Sequence, residues 1–191
     1  PECPDRLRAV LSALETEEFA LLDRREAEPA GRADLARVHD PAYIDAVLQA
    51  VPAAGLVPLD HETLIGPRSG EAALRAAGAV CGAVDAVLAG TVRNAFCAVR
   101  PPGHHAERDR AMGFCIFNNI AVGAFYAHAV CGIERIAIVD FDVHHGNGSQ
   151  HAFAADGAFF YASSHQSPCY PGTGSESERG IGNILNVELP A

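Results

Sequence analysis

The sequence predicts an α/β fold: a mostly parallel sheet with helices on both faces. Three observations predict it. Short apolar runs alternate with helical stretches along the chain. The runs read as buried strands, continuously apolar as parallel strands are. Polar, histidine-rich clusters follow the runs, as expected where chemistry collects at the carboxyl ends of parallel strands.

The elements follow in order. Arg6–Leu14 has helical spacing, and Asp34–Val38 reads as a short strand. Asp40-Pro41 is a helix start with Pro at the first position, and Ala42–Ala50 continues it. Ser69–Leu88 is alanine-rich and periodic, a long helix closed by Gly90. Ala95–Val99 is an apolar run cut off by Pro101-Pro102 and reads as a buried strand. Asn118–Val130 is a second long helix ending near Gly132. Arg135–Val143 (RIAIVDFDV) is the strongest strand of the chain. Gln150–Ala155 reads as a short helix, and Ala158–Ala162 and Ile184–Leu189 as two more strands.

Composition sets limits. The 191 residues suit one domain, and 49% apolar content excludes a disordered tail. A net charge of −10 argues against a general nucleic-acid binder, which needs a basic face to replace counterions on phosphates. No apolar run reaches the length of a membrane span; the longest, Ile120–Ile133, is short and contains His128. Six cysteines without any CxxC argue against a thiolate zinc knuckle and suit reduced thiols in the cytoplasm.

The polar clusters carry the chemistry. The first is Arg100-Pro-Pro-Gly-His104-His105-Ala106. The second runs Asp140-Phe-Asp142-Val-His144-His145-Gly-Asn147-Gly, and the third Ser163-Ser164-His165-Gln166 and on to Pro171-Gly-Thr-Gly174. Side chains at i and i+2 of an extended segment point the same way, so Asp140, Asp142 and His144 share one side. A carboxylate and an imidazole suit zinc or iron(II), and a catalytic zinc takes three protein ligands and an open position. Asp142 and His144 supply two; the bland alternative is an Asp–His hydrogen-bonded pair without metal. His104-His105 would then divide proton transfer and charge holding, with Asp140 and Asn147 as partners. Gly103 and Gly113 would let the backbone crowd a narrow channel, with Phe114 lining it.

RPPGHHAERDRAMGFCIFNNIAVGA, then IAIVDFDVHHGNGSQHAF and SSHQSPCYPGTG, closely resemble the zinc-dependent histone deacetylase superfamily. The likeness is strongest to the bacterial histone-deacetylase-like amidohydrolases and the second class of eukaryotic deacetylases. PECPDRL and LIGPRSGEAALRAAG extend it, so it covers nearly the whole chain.

The resemblance implies the three-layer arginase–deacetylase fold and metal-assisted hydrolysis of an acetylated or acylated amine. It implies Asp142 and His144 as two zinc ligands and His105 as general base and then acid. His104, paired with Asp140, is the charge-stabilising companion, and Asn147 stands behind His105. Gly113 and Phe114 form the wall of the acyl-lysine tunnel, and Arg6 lies near an internal acetate channel. It also implies a potassium site at Asp140, Asp142, His144 and Ser163, with Ser164 contributing through its backbone.

The family's third zinc ligand and its Tyr or His oxyanion donor have no counterpart after His165. Residues 1–191 therefore read as a single domain incomplete at the C-terminus and at the N-terminus, binding zinc weakly and turning over little by itself. The implied partners are an acetylated lysine peptide or protein, or an acetylated polyamine; nucleic acid and membrane are excluded, and a homo-oligomer is left open. The alternatives are another enzyme of the same fold, either an acetylpolyamine deacetylase or a binuclear ureohydrolase, which needs further Asp/His ligands, and a non-catalytic acyl-lysine-binding module.

Overall fold

A computed structural model describes residues 2–191. Helix α1 (Pro4–Leu14) starts on a proline at its first turn and lies exposed. A single helical turn, α2 (Arg32–Leu35), stands where a strand is expected. The backbone keeps turning beyond it, with Val38 and His39 N–H both donating to Leu35 C=O. Leu35, Val38 and His39 are all buried, which is the i, i+3, i+4 spacing of a helix side and not the alternation of a strand.

Helix α3 (Pro41–Ala50) buries Ile44 and Val47. The two-residue strands β1 (Val57–Pro58) and β2 (Leu64–Ile65) pair antiparallel. Helix α4 (Ser69–Leu88) has the bounds that its alanine-rich periodicity predicts, and Gly90 follows it at φ 69°, the left-handed position that ends helices on glycine. Helix α5 (Asn119–Ala129) is capped by Asn118, whose side chain accepts from Ala121 N–H at 3.1 Å. The two helices pack closely because small residues face each other. A Cβ on Gly123 would lie 2.2 Å from Val80 Cγ1.

Strand β3 (Ile136–Asp140), helix α6 (Asn147–Phe153) and strand β4 (Phe159–Gln166) form one βαβ crossover. Strand β5 (Ile184–Leu189) follows a long loop. The sheet is parallel in the order β3-β4-β5, with Asp140 paired to Ser163 and Ser163 to Asn186. Phe125, Phe153, Phe159 and Tyr161 cluster between α5, α6 and the sheet, with Phe125 and Phe159 ring centroids 4.6 Å apart. On the other face of the sheet Val139, Phe160, Leu185 and Val187 are exposed.

The run Ala95–Val99 is not a strand. Among the described residues it has no ladder partner, Phe96 is 73% exposed, and a groove lined by Cys97, Val99, Ile138 and Val139 separates it from β3. An apolar run becomes a strand only where a neighbour completes its hydrogen bonds. Among the described residues no helix is long and apolar enough to cross a membrane.

Candidate active site

The loop after the 95–99 segment and the loop after β3 converge. His104 Nδ1 lies 3.0 Å from Asp140 Oδ2, the last residue of β3. Tyr161, one strand over, donates its hydroxyl to the same oxygen at 2.9 Å. Burial pushes the Asp140 carboxyl up, but hydrogen bonds from His104, Tyr161 and the Asp142 N–H outweigh it and hold the group below the usual carboxylate range.

His105 is buried beside it. Its Nδ1 is 2.8 Å from Asn147 Oδ1, at the first residue of α6. An amide oxygen only accepts, so Nδ1 carries the proton and Nε2 keeps its lone pair. Burial is the main cause that lowers the His105 pKa to about 4, with the neighbouring His104 adding to it. His105 is therefore neutral at pH 7. The segment holding both histidines is anchored from below. His39 Nδ1–H donates to Glu107 C=O at 2.8 Å, and His39 Nε2 accepts from Asn118 N–H at 2.9 Å.

Asp142 and His144 reach the same side by a different route from the one expected. β3 ends at Asp140, so no strand pleat runs to His144. Two successive turns do the work: Asp142 N–H donates to Asp140 Oδ1 at 3.2 Å, and His144 N–H donates to Asp142 Oδ1 at 2.8 Å. His144 Nδ1 also lies 3.0 Å from Asp142 Oδ1, and the His144 ring centroid is 5.9 Å from that of His105. Donors of this chemistry fit zinc, but among the described residues no group of three His, Cys, Asp or Glu could hold a metal ion.

Gly113 and Phe114 are the two central residues of a tight turn closed by Met112 and Cys115, with φ of 56° and 66°. Both are left-handed, as in the hairpin turn that matches strand twist. A Cβ on Gly113 would sit 2.4 Å from His105 Cδ2, so the turn presses on the histidine, and Phe114 is partly exposed beside it. Ser163 lies next to Asp140 in the ladder, but its hydroxyl pairs with His165 Nδ1 at 2.9 Å. Ser164 follows it on the opposite side of the pleat. Arg6 is itself exposed and pairs with Glu2 at 3.1 Å; Glu2, with a side chain 13% exposed, also pairs with Arg100 at the head of the histidine loop.

Four residues that sequence reasoning leaves aside belong here. Tyr161 holds Asp140. Tyr170 stands edge-on to His105, with ring centroids 5.0 Å apart, and burial raises its hydroxyl to about 12. The PCYPGTG loop that carries Tyr170 is a visible signal. Glu107 and His151 form a pair behind Asn147 that no local pattern announces.

A family model described as "Histone deacetylase domain" matches residues 1–191. The chain belongs to the histone deacetylase family. It is 43% identical over 194 residues to "Histone deacetylase-like amidohydrolase" of Pseudomonas aeruginosa, covering 98% of this chain and 51% of that protein. It is 39% identical over 204 residues to "Polyamine deacetylase HDAC10" of Rattus norvegicus, covering 99% of this chain and 34% of that one. Among solved structures, "Crystal Structure of HDA15 HD domain" superposes with a TM-score of 0.91 at 38% identity, covering 98% of this chain and 55% of that chain. The chain thus spans about half the length, or less, of these relatives. The superposition supports the α/β fold.

Proposed function

We propose that this deacetylase-family chain carries the proton-handling half, and part of the metal site, of a zinc-dependent amidohydrolase. Its substrates are acetylated or acylated lysine side chains and related amines. The observation that carries the reading is His105. Asn147 fixes its tautomer with Nε2 free, beside the half-exposed Asp142–His144 pair. Asp142 and His144 would hold the zinc, with a third ligand outside the described residues. Bound there, zinc supplies Lewis-acid polarisation of the scissile carbonyl and an activated water.

The chain's own groups do the rest. His105 accepts a proton at Nε2 as water attacks and returns it to the departing amine. His104, hydrogen-bonded to the Asp140 carboxylate, is placed to share positive charge that builds up on His105; the two rings are 4.0 Å apart. Gly113, Phe114 and Tyr170 wall the approach and exclude water. Asp140, Ser163 and the Ser164 backbone are the oxygen donors proposed for potassium. Six free thiols suit a reducing, cytoplasmic setting.

A second reading, an acetylpolyamine deacetylase, has the rat relative's name in its favour, and the net charge of −10 suits a cationic amine. Rates of the full-length protein on an acetyl-lysine peptide and on acetylspermidine, with and without chelator, separate the two. Loss of both activities on chelation and recovery with zinc is the expected result. Activity that survives chelation overturns the metal mechanism.

A further inference from the structure

We propose that Glu107 is a positioning residue for His105, acting through the side-chain amide of Asn147. The inference rests on the reading of His105 as the proton carrier.

An asparagine amide has nearly the same shape in its two flipped orientations, but they present opposite chemistry to a histidine. With Oδ1 toward Nδ1 the ring is protonated on Nδ1, and Nε2 is a base. With the NH₂ toward Nδ1 the proton moves to Nε2, and the base is gone. A carboxylate in that place would accept in any orientation. An asparagine needs something else to set its flip.

The structure supplies it. Asn147 Nδ2 lies among three groups that only accept: the Glu107 carboxylate and, at 3.3 Å each, the backbone carbonyl of His105 itself and the weaker acceptor Met112 Sδ. All three favour N–H there, the carboxylate most strongly, and so direct Oδ1 toward His105 Nδ1. Glu107 is 9% exposed and is held in turn by His151, whose Nδ1 lies 2.9 Å from each carboxylate oxygen. Burial pushes Glu107 up, yet the hydrogen bonds from His151 and Asn147 outweigh it and keep it below the usual range, ionised and acceptor-only. The backbone carbonyl of Glu107 is fixed by His39, so the carboxylate hangs from an anchored segment. A merely structural Glu107–His151 pair would stabilise the fold without deciding the tautomer of His105.

The test uses the full-length protein with ¹⁵N-labelled histidine, so that long-range ¹H–¹⁵N correlations read which His105 nitrogen carries the proton. Nδ1 is protonated in the unsubstituted protein. In Glu107→Leu, which keeps much of the bulk but offers no acceptor, the Nε2-protonated form appears. There kcat falls about tenfold or more, toward the 10²–10⁴ a positioned general base supplies, with KM within about twofold. Glu107→Gln can still accept from Asn147 through Oε1 and restores kcat to within about threefold of the unsubstituted protein. Unchanged kcat and unchanged tautomer in Glu107→Leu overturn the proposal. So does an Nε2-protonated His105 in the unsubstituted protein, a reading that needs no variant to fold. A tautomer change in Glu107→Leu in a protein without deacylase activity would refute the functional reading and leave the positioning role standing.

Discussion

The two halves of the candidate site are held in different ways. His104 and Asp140 have side chains 15% and 13% exposed, and His105 is almost wholly buried. Each histidine has a dedicated partner, and each partner is held from behind, Asp140 by Tyr161 and Asn147 by Glu107. Asp142 and His144 are 46% and 41% exposed and are paired only with each other and the local backbone. Groups that move protons must be oriented before substrate arrives, and orientation here comes from burial and shared hydrogen bonds. Metal ligands draw their order from the ion, so this half needs only proximity.

If the buried half stands on neutral histidines, acid should undo it first. His39 donates through Nδ1 and accepts through Nε2, so protonation sets N–H against N–H at Asn118. Burial is the chief cause that lowers its pKa from 6.5 to about 4. A depressed folded pKa means that stability is intact above pH 6.5 and is lost as pH falls toward 4. His39 alone accounts for up to roughly 3 kcal/mol. His105, lowered in the same direction, adds to the loss. Urea midpoints measured between pH 7.5 and 4 should fall steeply, and less so in His39→Gln, which keeps one donor and one acceptor but does not titrate. Parallel slopes for the two proteins would remove His39 from the account.

Next in size is a single methyl group. A Cβ at Gly146 would meet Asp140 Oδ2 at 2.4 Å, Tyr161 Oη at 2.6 Å and His104 Nδ1 at 3.0 Å. Gly146→Ala should cost about 1–3 kcal/mol, as overpacking does, and should separate His104 from Asp140. Gly82→Ala is the control. It lies within α4 with nothing near its Cβ, and alanine there should stabilise by about 0.5–1 kcal/mol. Equal urea midpoints for the two variants would mean that the buried half has slack the distances do not show.

How much of this is legible in the sequence differs with the range of the interaction. α4 is local: alanine content, periodicity and a terminal glycine define it from Ser69 to Leu88. β3, β4 and β5 carry their own apolar runs. The segment 95–99 looks the same by composition, yet whether it is a strand depends on a neighbour that the described residues do not provide. At 34–38 the helical signal was present in the Leu35–Val38–His39 spacing, and the shortness of the run hid it. In the site, His104, His105, Asp140, Asp142, His144 and Asn147 are marked by residue type and motif. Tyr161 and Glu107 are not, because their contacts depend on the β3–β4 register and on how α6 is set against the 104–112 loop. A glutamate two residues after a histidine pair reads as a solvated charge until the fold closes over it.

The smallest expected effect is the sharpest test of the comparison. Asp142→Ala removes the acceptor for His144 N–H and the partner of His144 Nδ1. Water can replace both contacts because the pair is exposed, so unfolding free energy should move by no more than about 0.5 kcal/mol. Over the same substitution, zinc uptake measured by competition with a chromophoric chelator should be lost, since a ligand is missing. Stability and metal binding would then separate at Asp142. At Gly146 the loss of stability would come with loss of the His104–Asp140 geometry. A destabilisation by Asp142→Ala as large as that of Gly146→Ala would show that the exposed pair is also part of the built scaffold. The division between a preformed proton-handling half and a metal-ordered half would then fail.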